Sequence, residues 1–172
     1  MEWHDQGIIL ALRRHGETAV IAELLTAEHG RALGLVHGGR SRFSRPMLQP
    51  GNSVAAKWRA RLDEHLGSFT LEPMQLRAGM IMEEPFRLAG LTTLCALAQL
   101  LPEREPHRPL YDAFHIVLAS IGDDTVWPAL LVRWEMGLLE ELGFGLDLAL
   151  CAATGVNEDL AYVSPKIGRA HV

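Results

Sequence analysis

The sequence predicts an α+β, multidomain chain: a small five-stranded β-barrel followed by an all-helical domain. Three observations carry that expectation. Short apolar runs separated by turn residues fill residues 1–76, and helical apolar spacing takes over after Met80. Charge divides at the same place. Residues 1–77 hold ten Lys/Arg against eight Asp/Glu, whereas residues 78–172 hold six against thirteen. The halves carry about +2 and −7 within a net charge of −5, and such asymmetry marks different partners for the two parts. The expected domains are 1–78 and 79–172.

The barrel strands follow in order. Gly7–Arg14 and Ala19–Thr26 are apolar runs, and Ala32–His37 returns as a third strand. The turn Glu28-His29-Gly30-Arg31 joins the last two as a hairpin, with glycine where a positive φ is needed. Gly38–Pro50 is punctuated by Gly, Ser and Pro and reads as a loop. Ser53–Leu62 is the fourth strand, with Lys57, Arg59 and Arg61 on one face and Trp58, Ala60 and Leu62 on the other. Asp63-Glu64-His65 makes a turn into a fifth strand, Leu66–Leu76. Five short strands in this length suggest a small barrel.

The helices come next. Phe86, Leu88, Leu91, Leu94, Leu97 and Leu101 fit the buried stripe of a helix ending at Pro102. Leu110, Phe114, Val117, Leu118 and Ile121 make a second helix, stopped by Gly122. Asp124-Thr125 opens a third, with Trp127, Leu130, Leu131, Trp134, Leu138, Leu139 and Leu142 inward and Gly143 and Gly145 at its end.

Composition and motifs exclude several classes. Hydrophobic residues make up 48% and charged residues 22%, as in soluble globular proteins. No apolar run is long enough to span a bilayer. The polar start Met1–Asp5 is not a secretory signal, so a cytoplasmic protein without a membrane partner is expected. No phosphate-binding loop, nucleophile elbow, zinc-protease or dinucleotide motif is present. The eight histidines are scattered without metal-ligand spacing, and Cys95 and Cys151 are expected to be free, packed thiols. The expectation is therefore no enzyme, no small-molecule substrate, no cofactor and no metal.

The positive signal is basic. Between Arg31 and Arg61 lie seven Lys/Arg and no Asp or Glu: Arg31, Arg40, Arg42, Arg45, Lys57, Arg59 and Arg61. Arginine's planar fork suits phosphate oxygens. Ser41 and Ser44 offer hydroxyl donors, and Phe43, between two arginines, offers a stacking face for an exposed base. A basic loop and a basic strand face on one small barrel predict nucleic-acid binding. The OB-fold is the five-stranded barrel that commonly does this work. An RNA-binding OB protein, and an adaptor whose basic face meets an acidic peptide, remain as alternatives.

The order of segments adds a resemblance. Trp3–Leu10, Gly38–Arg42, Leu48–Asn52 and Leu131–Leu148, with Cys151–Gly155 and Tyr162–Lys166 after them, resemble the bacterial recombination mediator family RecO in its proteobacterial form. That resemblance implies an OB-fold followed by a helical domain, and a nucleoid-associated cytoplasmic protein. It implies binding of single- and double-stranded DNA, strand annealing, and help in replacing single-strand-binding protein with RecA. The implied partners are RecR and the C-terminal tail of single-strand-binding protein, with RecA engaged indirectly. Some members carry a four-cysteine zinc site. Here Cys151 stands at its first ligand position, but Thr154 replaces the next, so no zinc is expected. The family usually continues for several tens of residues beyond Val172, and Ile167–Val172 reads like a translated sequencing adapter, so the helical domain is expected to lack its last helices.

Overall fold

A computed structural model describes residues 1–62 and 65–172. The chain forms two compact units, Met1–Leu131 and Val132–Val172.

The first unit starts with five strands: β1 Glu2–His15, β2 Ala19–Thr26, β3 Gly30–Val36, β4 Ser53–Arg59 and β5 Ser68–Gln75. Their order is β1-β2-β3-β5-β4, and β4 pairs back onto β1, so the sheet closes on itself. The β3–β5 seam is a single parallel pair, Leu35 with Ser68. This is the five-stranded OB architecture the sequence predicts. β1 makes closure possible. Its first half pairs with β4 from Glu2 to Ile8 and its second with β2 from Gly7 to His15, with a register shift between Ile9 and Ala11. A bulge there bends one long strand across two neighbours. β1 therefore begins five residues before the predicted run, because Glu2–Gln6 find their ladder partners on β4.

Alternation fills the barrel. In β4, Val54, Ala56 and Trp58 are buried while Lys57 and Arg59 are exposed. Ile9, Val20, Leu24, Val36, Trp58 and Phe69 belong to one core cluster, with Leu48 from the following loop and a partly buried Trp3 packed against it. Gly34 is required by the core: a Cβ there would lie 2.5 Å from the Phe69 ring. The fourth strand stops at Arg59, short of the predicted Leu62. Ala60 is irregular and Arg61 and Leu62 lie in a bend, so Arg61 is off the ladder. The predicted turn residues Asp63 and Glu64 lie outside the described residues.

Helices α1 Ala78–Met82, α2 Pro85–Ala98, α3 Arg108–Ser120 and α4 Trp127–Glu141 follow. α1 is too short to show a periodic signal and was not expected. Proline stands in the first turn of α2 and α3, where its missing N–H costs nothing. α2 buries Gly90, Leu91, Leu94, Cys95 and Ala98. Phe86 and Leu88, expected on its inner stripe, are exposed. Phe86 sits in the first turn and leans on Trp127, ring centroids 4.8 Å apart.

Barrel and helices in this unit are joined by buried polar contacts. Asn52 is fully buried. Its carbonyl oxygen accepts from the N–H groups of Arg77 (2.8 Å) and Ala78 (3.0 Å). Its amide donates to the carbonyls of Pro46 (2.9 Å) and Met47 (3.0 Å). One side chain thus ties the loop before β4 to the start of α1. Gly30, at φ +65°, lets the β2–β3 turn pass the α2–α3 connector, where a Cβ would meet the Glu105 carbonyl oxygen at 1.9 Å.

In the second unit, α4 is followed by a turn through Gly143, whose φ is +82°. The segment beyond it, expected to be purely helical, forms a two-stranded ribbon instead, β6 Tyr162–Val163 with β7 Ala170–His171. The backbone of Asp147 bonds Gly168 and Ala170 and so fastens the ribbon. Leu139, expected to face inward, is 37% exposed. Among the described residues no helix is long and apolar enough to cross a membrane.

Candidate nucleic-acid interface

Loop 37–50 is ordered by its own hydrogen bonds. The Arg45 N–H donates to the Ser41 carbonyl (3.2 Å) and the Leu48 N–H to Ser44 (2.9 Å), giving single helical turns. The Ser41 and Ser44 hydroxyls lie 3.0 Å apart, and Ser44 Oγ donates to Gly38 O at 3.3 Å. These two serines, expected as ligand donors, are thus occupied in shaping the loop. Leu48 is buried in the barrel core and holds the loop from below.

Arg40 anchors the loop sideways. Its backbone N–H donates to Thr18 O (3.0 Å), and its guanidinium donates to Glu17 O (2.6 Å) and Gly16 O (3.2 Å) in the β1–β2 turn. Arg42, Phe43 and Arg45 remain outward. Phe43 is 80% exposed, with the Arg42 guanidinium 4.8 Å from its ring centroid. A cation over an aromatic face holds the two groups together at the loop surface.

Anchoring the loop on the β1–β2 turn brings in two residues the sequence reading passed over. Arg13 and Arg14 end β1, with Arg14 opposite Val20 and Val20 opposite Val36, where the loop departs. Both arginines are exposed. Arg13 lies 3.8 Å from Glu23; among the described residues no carboxylate pairs with Arg14, Arg42 or Arg45. The run Arg13-Arg14-His15 before Gly16 was the available signal, hidden because it closes an apolar strand.

The strand group lies elsewhere. The loop enters β4 at Ser53, and Arg59 is the strand's last residue, about 20 Å further on at the usual rise. Lys57 and Arg59 face outward and flank Glu2 of β1, at 2.6 and 3.9 Å. The Lys57 ammonium holds the Glu2 carboxyl below its usual range. Arg61 is exposed beyond the strand end. The basic loop and the basic strand face therefore occupy opposite ends of β4.

Arg31 is committed inside the unit. Its guanidinium pairs with the buried Glu23 and with Glu103 (3.5 Å), and its Nε donates to Leu101 O at 2.7 Å. Only 16% of its side chain is exposed.

Cys151, where the resemblance puts a first zinc ligand, is a buried free thiol beside Thr154. The Thr154 hydroxyl hydrogen-bonds the Cys151 sulfur and, with backbone groups, pulls the thiol down to about 6. Among the described residues no group of three or more His, Cys, Asp or Glu side chains is placed to hold a metal.

Comparison with known proteins agrees with this architecture. Residues 1–77 match the family described as Recombination protein O N terminal, and residues 82–171 match Recombination protein O C terminal. The chain is 57% identical over 170 residues to the DNA repair protein RecO of Methylorubrum extorquens (strain PA1), covering 99% of this chain and 69% of that protein. It is 58% identical to DNA repair protein RecO of Methylobacterium nodulans over the same shares of both chains. Against that of Brucella abortus (strain 2308) the identity is 54%, again covering 99% and 69%. An OB barrel followed by helices, matched by both family halves and by relatives along nearly its whole length, places this chain in the RecO family of DNA repair proteins.

Proposed function

We propose that this protein is a non-catalytic recombination mediator that holds DNA through the basic surfaces of its barrel. The observation that carries the reading is the presentation of Arg42, Phe43 and Arg45 on a loop fixed at three points: by Leu48 in the core, by Asn52 at its end, and by Arg40 on the β1–β2 turn. Two free guanidiniums beside an exposed ring match the needs of a strand with phosphates outside and bases turned in. Arg40 supplies the positive edge of that surface, Arg13 and Arg14 extend it, and Lys57, Arg59 and Arg61 form a second contact zone. Arg31, with its guanidinium already engaged, is assigned to the junction.

In this reading residues 1–78 form the nucleic-acid domain and residues 79–172 the helical domain. The helical domain's acidic balance suits protein contacts better than DNA. Family membership supports the wider role. The protein binds single- and double-stranded DNA, anneals complementary strands, and assists RecA onto strands covered by single-strand-binding protein, working with RecR and the tail of single-strand-binding protein. Neutralising phosphates on two strands at once lowers their mutual repulsion, which is the physical core of annealing.

A salt titration of binding to single-stranded DNA, duplex and RNA of equal length tests the reading. Affinity for DNA falling linearly on logarithmic axes as salt rises is expected. Absence of DNA binding at low salt would sink it, and a clear preference for RNA would favour an RNA-binding role.

A further inference from the structure

We propose that the end of the barrel formed by Trp3, His29 and Trp58 is a subsite for one unpaired nucleobase, separate from the arginine loop. The inference rests on the nucleic-acid reading above and assigns it a second, non-ionic contact. A cavity of about 350 Å³ opens there, lined by Trp3, His29, Leu33, Trp58 and Arg104, with Glu2 and Glu28 at its rim.

Its wall is a column of parallel rings. His29 lies on Trp3 at 4.2 Å between centroids and 9° between planes, and Trp3 lies on Trp58 at 5.6 Å and 13°. The inner end is fixed: Trp58 is buried, and its Nε1–H donates to the carbonyls of Leu33 and Leu66, both at 3.2 Å. The outer end is fixed too. His29 Nδ1 sits 2.9 Å from the Asp5 carboxylate, which is itself bonded to the Glu28 N–H at 2.8 Å. The His29 side chain is 36% exposed. A flat ring laid on this column meets partners already oriented, so little ordering cost remains.

The rim defines the occupant further. Glu2 and Glu28 are each engaged by cations, Glu2 by Lys57 and Glu28 by Arg108. Arg104 is held at φ +65°, with its N–H on Arg31 O (2.8 Å) and its Nη2 on His65 O (3.1 Å). Among the described residues it has no carboxylate partner. Its remaining N–H groups suit a phosphate or a base edge. Parallel rings offer a stacking face rather than a box, and with both rim acids already paired to Lys57 and Arg108 and Arg104 beside them, an ammonium ligand fits less well. A base inside a duplex has both faces covered, so only an unpaired base can extend the column.

The test compares the intact chain with His29→Ala and Arg104→Gly on single-stranded DNA and on duplex, each across a salt series. Glycine at 104 accepts the positive φ, so that variant keeps the connector. His29→Ala is expected to weaken single-strand binding about tenfold, the loss of one stacked base, with an unchanged salt slope and unchanged duplex affinity. Arg104→Gly is expected to weaken single-strand binding and to flatten its slope by about 0.7. Full single-strand affinity in His29→Ala, or an equal loss on single strand and duplex, overturns the subsite while the broader reading stands. A chain that binds neither DNA form overturns both.

Discussion

The Glu2 carboxylate lies 2.6 Å from the Lys57 ammonium and 3.9 Å from Arg59 Nε, so one acid at the start of β1 occupies both outward cations of β4. The pairing follows from the ladder, because Glu2 stands directly opposite Arg59. A phosphate competes with that carboxylate for Lys57 and, more weakly, for the 77% exposed Arg59. Glu2→Gln is therefore expected to raise affinity for single-stranded DNA about two- to fivefold and to steepen the salt slope, because exposed pairs hold weakly and each phosphate newly neutralised adds about 0.7 on a single strand. Fluorescence anisotropy at several salt concentrations measures both.

Loop arginines and the junction arginine separate cleanly. Arg42→Ala and Arg45→Ala are each expected to flatten the single-strand salt slope by about 0.7 with little change in stability. Arg31→Met is expected to do the reverse. It leaves the buried Glu23 with only the distant Arg13, and breaking a buried pair costs about 3 kcal/mol. Urea unfolding and a DNA titration on the same three variants give the comparison.

Asn52→Ala removes a carbonyl and an amide that together make four hydrogen bonds in a fully buried place. The orphaned backbone groups cannot reach water, so a loss of about 3 kcal/mol is expected. The loop should also loosen. Hydrogen exchange is expected to rise at Met47 to Asn52 and at Arg77 to Met82 together, since one side chain serves both.

Cys151 and Cys95 should titrate far apart. Burial pushes the Cys95 thiol up to about 12, whereas hydrogen bonds from Thr154 and nearby backbone bring Cys151 down to about 6 from an ordinary 9.0. A lowered pKa means that folding favours the thiolate. Its stabilising contribution is full above the ordinary value and is lost as pH falls through about 6. Ultraviolet thiolate absorbance is expected to show one step near pH 6 in the intact chain. In Thr154→Val that step should move toward the ordinary value.

Much of the barrel was readable along the chain because strand alternation is local. β2 matches its predicted span, and the inward Trp58 between outward Lys57 and Arg59 follows from a period of two. The missed pieces have physical causes. Glu2–Gln6 become strand only because β4 is there to pair with them. α1 is five residues long, less than two turns, and carries no periodic signal. Phe86 obeys the helical spacing of α2 but sits at its end, where the neighbouring Trp127 decides its exposure.

The sequence by itself determined that a basic, acid-free run lies on a five-stranded barrel ahead of an acidic helical part. Tertiary structure decided which of those cations are free. Arg31 meets Glu23 eight residues away and the Leu101 carbonyl seventy residues away, and Arg40 meets carbonyls of a turn more than twenty residues before it. It also brought Arg13 and Arg14 beside the loop, and Trp3, His29 and Trp58 into one column. The reason is range. Side-chain alternation and turn chemistry act between near neighbours along the chain. Ion pairs, caps and ring stacks form between whichever groups the closed sheet brings together, and their identity is fixed only when the ladder closes.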